Sequence, residues 1–224
     1  MKVRYLYNSG FIIESEKYIF IIDSMYKTEI ENRKNKKIIC LATHSHHDHF
    51  NDFILKEGFC ILSDDIKIKN KKDNIMFVKE YDEINIEDIK IKTFSSTDLG
   101  VSYLIETDKK LIFHSGDLNW WYWENDSEET KEKEGNDYKR EILKLKEYLK
   151  GRTLDIAFIP VDRRLKENSI LAIDFFLKNI KTKNVFPMHF MDNYEYINDL
   201  EKIIKKYKDV NINIINKRNQ KFDL

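Results

Sequence analysis

Four of the six histidines of this 224-residue chain fall in one string, THSHHDHF, from Thr43 to Phe50. His44 and His46 stand two apart, and Asp48 and His49 follow. Side chains at i and i+2 do not face each other on a helix, so the pattern HxHxDH has no use there. On a loop leaving a strand, successive side chains can converge on one point. Imidazole and carboxylate at that density are ligands for first-row transition metals. The string divides into two pairs, His44 with His46 and Asp48 with His49, which suits two metal ions sharing a bridging oxygen. The remaining histidines, His114 in FHSGD and His189 in PMHF, each lie at or near the end of an apolar run. All six are therefore expected at one edge of the sheets. That convergence favours a metal centre over a solvated His-rich turn.

The elements that must position these residues are mostly strands. KVRYLY, FIIE and YIFIID are short apolar or alternating runs broken by turn residues, and they predict an antiparallel meander. KKIICLAT is a continuous apolar run, as in a strand buried on both faces, and it leads directly to His44. NDFILKEG predicts a short helix starting near Asn51 and Asp52. FCILSDD, IMFVKE and DIKIKTFS are further strands, and VSYLIET with KKLIFHSGD forms a hairpin around Asp108. The character changes at Trp120. An aromatic stretch, NWWYW, gives way to a highly charged segment and then to an amphipathic helix with Ile142, Leu145 and Leu149 on one face. LDIAFIP and KNVFPMHF are buried strands. NSILAIDFFLKNI is a helix capped by Asn168 or Ser169, NYEYINDLEKIIKKYK is another, and VNINII is a last strand. Strands first, then strands alternating with helices, predict two sheets with helices packed outside. The chain reads as a single domain over 1–224, with a helical excursion at 120–150.

Composition limits the function classes. Hydrophobic residues make up 42% of the chain, enough for one sizeable core. Charged residues reach 35%, yet the formal net charge is zero and no arm or face is strongly basic, so no nucleic-acid partner is expected. No apolar run approaches the ~18 residues of a membrane span. The first residues lack a secretory signal, and Cys40 and Cys60 are isolated on apolar runs, as buried thiols of a cytoplasmic protein would be.

With these residues in view, THSHHDHF resembles the HxHxDH motif of the metallo-β-lactamase-fold superfamily, and the order of the other segments is similar too. YIFIID resembles the early strand whose aspartate, here Asp23, supports the metal ligands from behind. LIFHSGD resembles the strand whose final aspartate, here Asp117, bridges two metals. LDIAFIPVD resembles the strand that follows it, and VFPMHF the last ligand strand, ending in His189. The similarity spans about residues 2–190, and the nearest branch is that of single-domain hydrolases resembling L-ascorbate-6-phosphate lactonase. It implies an α+β, four-layer αββα sandwich. It also implies metal ligands His44, His46, Asp48, His49, Asp117 and His189. One or two divalent transition metals would be bound, zinc first, with manganese or iron as alternatives.

One departure stands out. The family usually has a further histidine before the Gly-Asp strand, where this chain reads TFSSTDLGVSYLIE. Asp98 is the candidate substitute, an oxygen ligand that would favour manganese or iron. His47 occupies the variable position of the motif and is expected in solvent or behind the ligands. His114 is expected to support the site without ligating. The resemblance implies a metal-dependent hydrolase in which metal-bound hydroxide attacks an ester, lactone or phosphoester of a small substrate, with Asp48 as proton shuttle. Trp120 in NWWYW and Arg163 after IPVD are candidate substrate contacts; their plainer roles are core anchoring and surface ion pairing. The alternatives are a degenerate metal-binding fold acting as a sensor or partner protein and, less favoured by the neutral charge, a nuclease. The residues carry no signal for oligomeric state.

Overall fold

The structure, a computed structural model, describes residues 1–69 and 72–224. Three short runs near the start form strands Lys2–Tyr7 (β1), Gly10–Glu14 (β2) and Tyr18–Ile22 (β3), paired antiparallel in chain order. The pairing then changes. Lys37–Ala42 (β4), Phe59–Ser63 (β5) and Ile75–Val78 (β6) add to β3 in parallel. β4 is apolar on both faces, as a covered parallel strand requires: Ile39 and Leu41 face one core, Cys40 and Ala42 another.

The second sheet repeats this plan. Glu83–Ile86 (β7), Ile89–Ser95 (β8), Val101–Thr107 (β9) and Lys110–His114 (β10) pair antiparallel. Leu154–Pro160 (β11), Thr182–Met188 (β12) and Asn211–Ile212 (β13) then add in parallel. The β9–β10 hairpin turns at Asp108 and Lys109, both with positive φ, as a two-residue primed turn demands. A strand absent from the sequence reading, Lys221–Asp223 (β14), returns to pair with β1, giving seven strands in each sheet among the described residues.

Between the sheets lies an aromatic core. Phe11 packs on Phe158 at a centroid separation of 4.4 Å, and Phe158 on Phe186 at 5.2 Å. Each such ring contributes about 1.5–3 kcal/mol by leaving water. Helix Glu128–Leu149 (α1) begins at Ser127, whose hydroxyl accepts a hydrogen bond from the Thr130 N–H, and carries two glutamates in its first turn. It buries Tyr138, Ile142, Leu145 and Leu149 in the same apolar cluster as the sheets. Helix Leu171–Asn179 (α2) is capped by neither Asn168 nor Ser169. A 3-10 segment, Arg163–Ile170, leads into it, and the Asp162 carboxylate accepts from the Arg164 N–H at the head of that segment. The last helix is Tyr196–Lys206 (α3).

Over the outer face of the first sheet, among the described residues, the covering layer is made of two 3-10 turns, Arg33–Asn35 and Asp52–Lys56, and loops. NDFILK is too short to sustain an α-helix. It does place Ile54 over Cys40, Cys60 and Leu62. Cys40 and Cys60 are free, buried and paired across β4 and β5. Among the described residues, no helix is long and apolar enough to cross a membrane.

Candidate metal centre

β3, β4, β10, β11 and β12 all end toward one edge of the sandwich, and each delivers a polar residue there. β3 hands on Asp23, β4 the string from Thr43 to His49, and β10 leads through Ser115 and Gly116 to Asp117. β11 leads to Asp162 and β12 to His189. The loop from β8 to β9 supplies Asp98. Two glycines let these loops approach. A Cβ on Gly100 would lie 1.9 Å from the Thr43 carbonyl oxygen, and one on Gly116 2.8 Å from the Thr43 Cβ. Both have positive φ, which glycine adopts freely.

The side chains form two groups. His44, His46, Asp98 and Asp117 bring one donor atom each within 4.8 Å of one another, and so do Asp48, His49 and His189. Asp117 stands between them: one carboxylate oxygen is 3.6 Å from His44 Nε2, the other 3.1 Å from His49 Nε2 and 3.4 Å from His189 Nε2. Asp98 approaches His46 Nδ1 at 3.6 Å.

Hydrogen bonds behind the rings fix which nitrogen is free. Asp23 accepts from the Thr43 N–H at 2.8 Å and from its hydroxyl at 2.7 Å, and its carboxylate lies 2.8 Å from His49 Nδ1. His49 therefore carries its proton on Nδ1 and turns the Nε2 lone pair into the site. The Thr43 hydroxyl proton is taken by Asp23, so its oxygen can only accept from His44 Nδ1, 3.1 Å away; His44 Nε2 is left as an acceptor, with His46 Nδ1 3.1 Å from it. Asp162 does the same for His189 at Nδ1, 3.0 Å away.

His114 differs. Its Nε2 donates to the Ser9 carbonyl at 2.9 Å and its Nδ1 accepts from the Gly116 N–H at 3.2 Å, so both nitrogens are used and neither is left for a metal. His47 is 88% exposed at its side chain.

Two buried atoms, His49 Nε2 and Asp117 Oδ1, have no hydrogen-bond partner, although they lie only 3.1 Å apart. An orphaned imidazole lone pair beside an orphaned carboxylate oxygen is the arrangement a cation satisfies. The residues thus fit one or two transition-metal ions. The charges agree. Burial alone would raise the pKa of Asp117, but His189 and His49 hold it well below the usual carboxylate range. Burial disfavours charge on His189, yet Asp117 and Asp162 outweigh that and push it up to about 9. Asp162, buried but bonded to His189 and Arg164, is held at about 2.

A cavity of about 530 Å³ opens beside these groups, bounded by Asp48, Asp98, Asp117, His189 and by Trp121, Trp123 and Arg164. The two expected substrate contacts are elsewhere. Trp120 is turned toward the core against Tyr138 and Phe175, so it anchors α1, while Trp121 and Trp123 face the cavity. Arg163 is engaged on the surface by Asp199 at 3.1 Å and Glu195 at 2.9 Å; its neighbour Arg164 lines the cavity.

Three supporting residues escaped the sequence reading. Asn8, in the β1–β2 turn, donates to Asp48 Oδ2 at 2.8 Å and accepts from the Met191 N–H. Thr43 links Asp23 to His44. Asp162 orients His189 and also pairs with Arg164. The one available signal was positional: each sits at the end of a strand or in a turn at the same edge.

No family model and no curated protein matches the chain. Solved structures do match. Igni18, a metallo hydrolase from Ignicoccus hospitalis KIN4/I, superposes with a TM-score of 0.65 at 16% identity, covering 100% of each chain. The metallo-β-lactamase fold protein YhfI from Bacillus subtilis gives 0.57 at 10% identity, covering 99% of each. CmlA, a diiron β-hydroxylase from Streptomyces venezuelae, gives 0.64 at 12% identity over 100% of this chain and 54% of CmlA. The chain has the metallo-β-lactamase fold.

Proposed function

We propose that this protein is a metal-dependent hydrolase acting on an ester, lactone or phosphoester of a small molecule. The observation that carries the reading is the convergence of ring nitrogens from His44, His46, His49 and His189 upon the shared carboxylate of Asp117. His44, His46, Asp98 and Asp117 would hold one ion, and Asp48, His49, His189 and Asp117 the other. Bound divalent cations would lower the pKa of water and polarise the bond to be cleaved. The chain's own part is positional. Asp23 and Asp162 hold two rings in the ligating orientation. Asn8 holds Asp48 by one oxygen, which leaves the other free to take and return a proton at the cavity floor. The cavity suits a small molecule and not a polymer.

Elemental analysis of protein purified from metal-supplemented medium tests the metal. Chromogenic ester, lactone and phosphodiester substrates, with and without chelator, test the reaction. Less than about a tenth of an equivalent of transition metal, unchanged by His49→Ala, would sink the reading.

Asp98 favours a second reading. An oxygen donor in place of an imidazole suits iron or manganese better than zinc, and CmlA is named a diiron β-hydroxylase. Stoichiometric iron with an absorption band that responds to reductant, and no hydrolysis of any ester class, would select it.

A further inference from the structure

We infer that the molecule processed in the cavity carries an organic cation, an alkylated ammonium on an apolar body. The inference rests on the hydrolase reading and names its substrate class. Beyond the metal-ligating groups, two features of the cavity wall bear on the substrate. One is aromatic: Trp121 and Trp123 lie with ring planes 1° from parallel and centroids 5.9 Å apart, and both face the cavity. The other is acidic: Asp126, just after the tryptophans, and Glu134, in the second turn of α1, line the same space.

Neither of these two carboxylates forms an ion pair among the described residues. The lysines near them are committed elsewhere, Lys131 to Glu128 at 2.8 Å and Lys133 to Asp137 at 3.0 Å. Both carboxylates are half-buried. Burial holds Glu134 above the ordinary range of a glutamate; Lys133 pulls it back, and repulsion from Asp137, Asp126 and Asp98 adds to the rise. A cation placed between them would relieve that repulsion, and the indole faces would attract it through their quadrupoles.

An anionic substrate fits less well. Among the described residues, Arg164 is the one lysine or arginine that lines the cavity. Its Nε is 3.0 and 2.9 Å from the two carboxylate oxygens of Asp162, its Nη2 is 2.5 Å from one of them, and its guanidinium centre lies 5.5 Å from the Trp123 ring. That charge is already balanced. Away from the ligand groups, an anion brought into the cavity would face Asp126 and Glu134 with no free side-chain cation to offset them.

The test has two arms. Quenching of indole fluorescence is titrated with benzyltrimethylammonium and with benzenesulfonate, which share a ring and differ in sign. Two of the three tryptophans border the cavity, so the signal reports on it. The cation should bind more tightly, and Asp126→Asn and Glu134→Gln should each weaken it about fivefold, with the double variant near the level of the anion. Both positions are partly exposed, so the variants should keep the fold. Tighter binding of the sulfonate, lost in Arg164→Gln, would overturn the inference, as would binding of neither probe. In the second arm, 4-nitrophenyl esters of a trimethylammonio acid and of its neutral tert-butyl isostere are compared. The cationic ester should have the lower KM, and the carboxamide variants should raise that KM by a larger factor than they raise the neutral ester's. Hydrolysis of the neutral ester without preference for the cation overturns the inference and leaves the hydrolase reading standing. Cation binding with no hydrolysis of either ester does the reverse.

Discussion

The two ligand groups differ in how firmly the chain holds them. In the inner group, His49 is fully buried and tied to Asp23, His189 is tied to Asp162, and Asp48 is held by Asn8. In the outer group, only His44 has comparable support, through Thr43. The side chains of His46 and Asp98 are 45% and 39% exposed. The loop of Asp98 is held at Thr97, whose hydroxyl donates to the Asn119 carbonyl and accepts from the Asn119 N–H, but among the described residues the Asp98 carboxylate itself forms no hydrogen bond. The inner position is preorganised by hydrogen bonds formed during folding. The outer one must be ordered by the ion it binds, and that ordering subtracts from its affinity. The count of imidazoles does not separate the groups, since each has two; what differs is the exposure of His46 and Asp98.

The largest effect should come from removing what the two positions share. Asp117→Ala takes a ligand from both and leaves three histidines facing one another. Both steps of a metal titration should weaken by more than the roughly 10–100-fold that loss of a supporting residue causes, and any hydrolysis should fall with them. If one step survived unchanged, Asp117 would not bridge. Next comes Asp98→Ala, which should abolish the weaker step and leave the tighter one in place. Two equal steps indifferent to Asp98 would refute the unequal-site account. Asp98→His should instead tighten the weaker step for zinc, since an imidazole suits that ion better than a carboxylate.

A smaller and more selective loss is expected from the residues behind the inner ligands. Asp162→Asn keeps the shape of the group but weakens the hold on His189 Nδ1, and Asn8→Gly removes the donor to Asp48. Glycine is chosen because Asn8 has a φ of 51°, where alanine would add strain. Each should weaken the tighter step by about 10–100-fold and spare the other. An equal loss at both steps would mean that the edge of the sandwich had moved as a whole.

Much of this was legible in the sequence, because metal ligation writes its requirements into residue type and spacing. His44, His46, Asp48 and His49 are adjacent, and Asp117 and His189 end apolar runs, so their convergence could be argued before any coordinates. Strands with continuous or alternating apolar patterns were legible for the same reason. What was not legible depends on contacts distant in sequence. Asn8 is 40 residues from Asp48, and nothing in NSG distinguishes a turn that holds a carboxylate of the candidate site from one that merely reverses the chain. The tryptophan assignment failed because adjacent residues leave a loop in opposite directions, and only the packing of Trp120 against Tyr138 and Phe175 decides which side faces the core. β14 went unread because three residues of mixed polarity form a strand only when β1 offers an unpaired edge.

The smallest effect, and a sharp check on the comparison, belongs to His47. It lies in sequence between the outer pair, His44 and His46, and the inner pair, Asp48 and His49, so a shift of one residue in the motif would make it a ligand. The structure leaves it in solvent beside the cavity, not in either ligand group: its side chain is 88% exposed, and its nearest acidic neighbour is Asp48 Oδ1 at 4.0 Å. The turn explains why. The N–H groups of His49 and Phe50 both bond back to the His46 carbonyl at 3.0 Å, closing a tight loop around His47 and Asp48. In so tight a turn consecutive side chains diverge, and the one at the tip points to water. His47→Ala should therefore leave both titration steps within about twofold, since an exposed imidazole contributes little to a neighbour screened by solvent. The comparison that counts is with His46→Ala, one position earlier, which should lose the weaker step. If His47→Ala cost as much metal as His46→Ala, the turn would have to open in solution and the division into an inner and an outer group would need a different register.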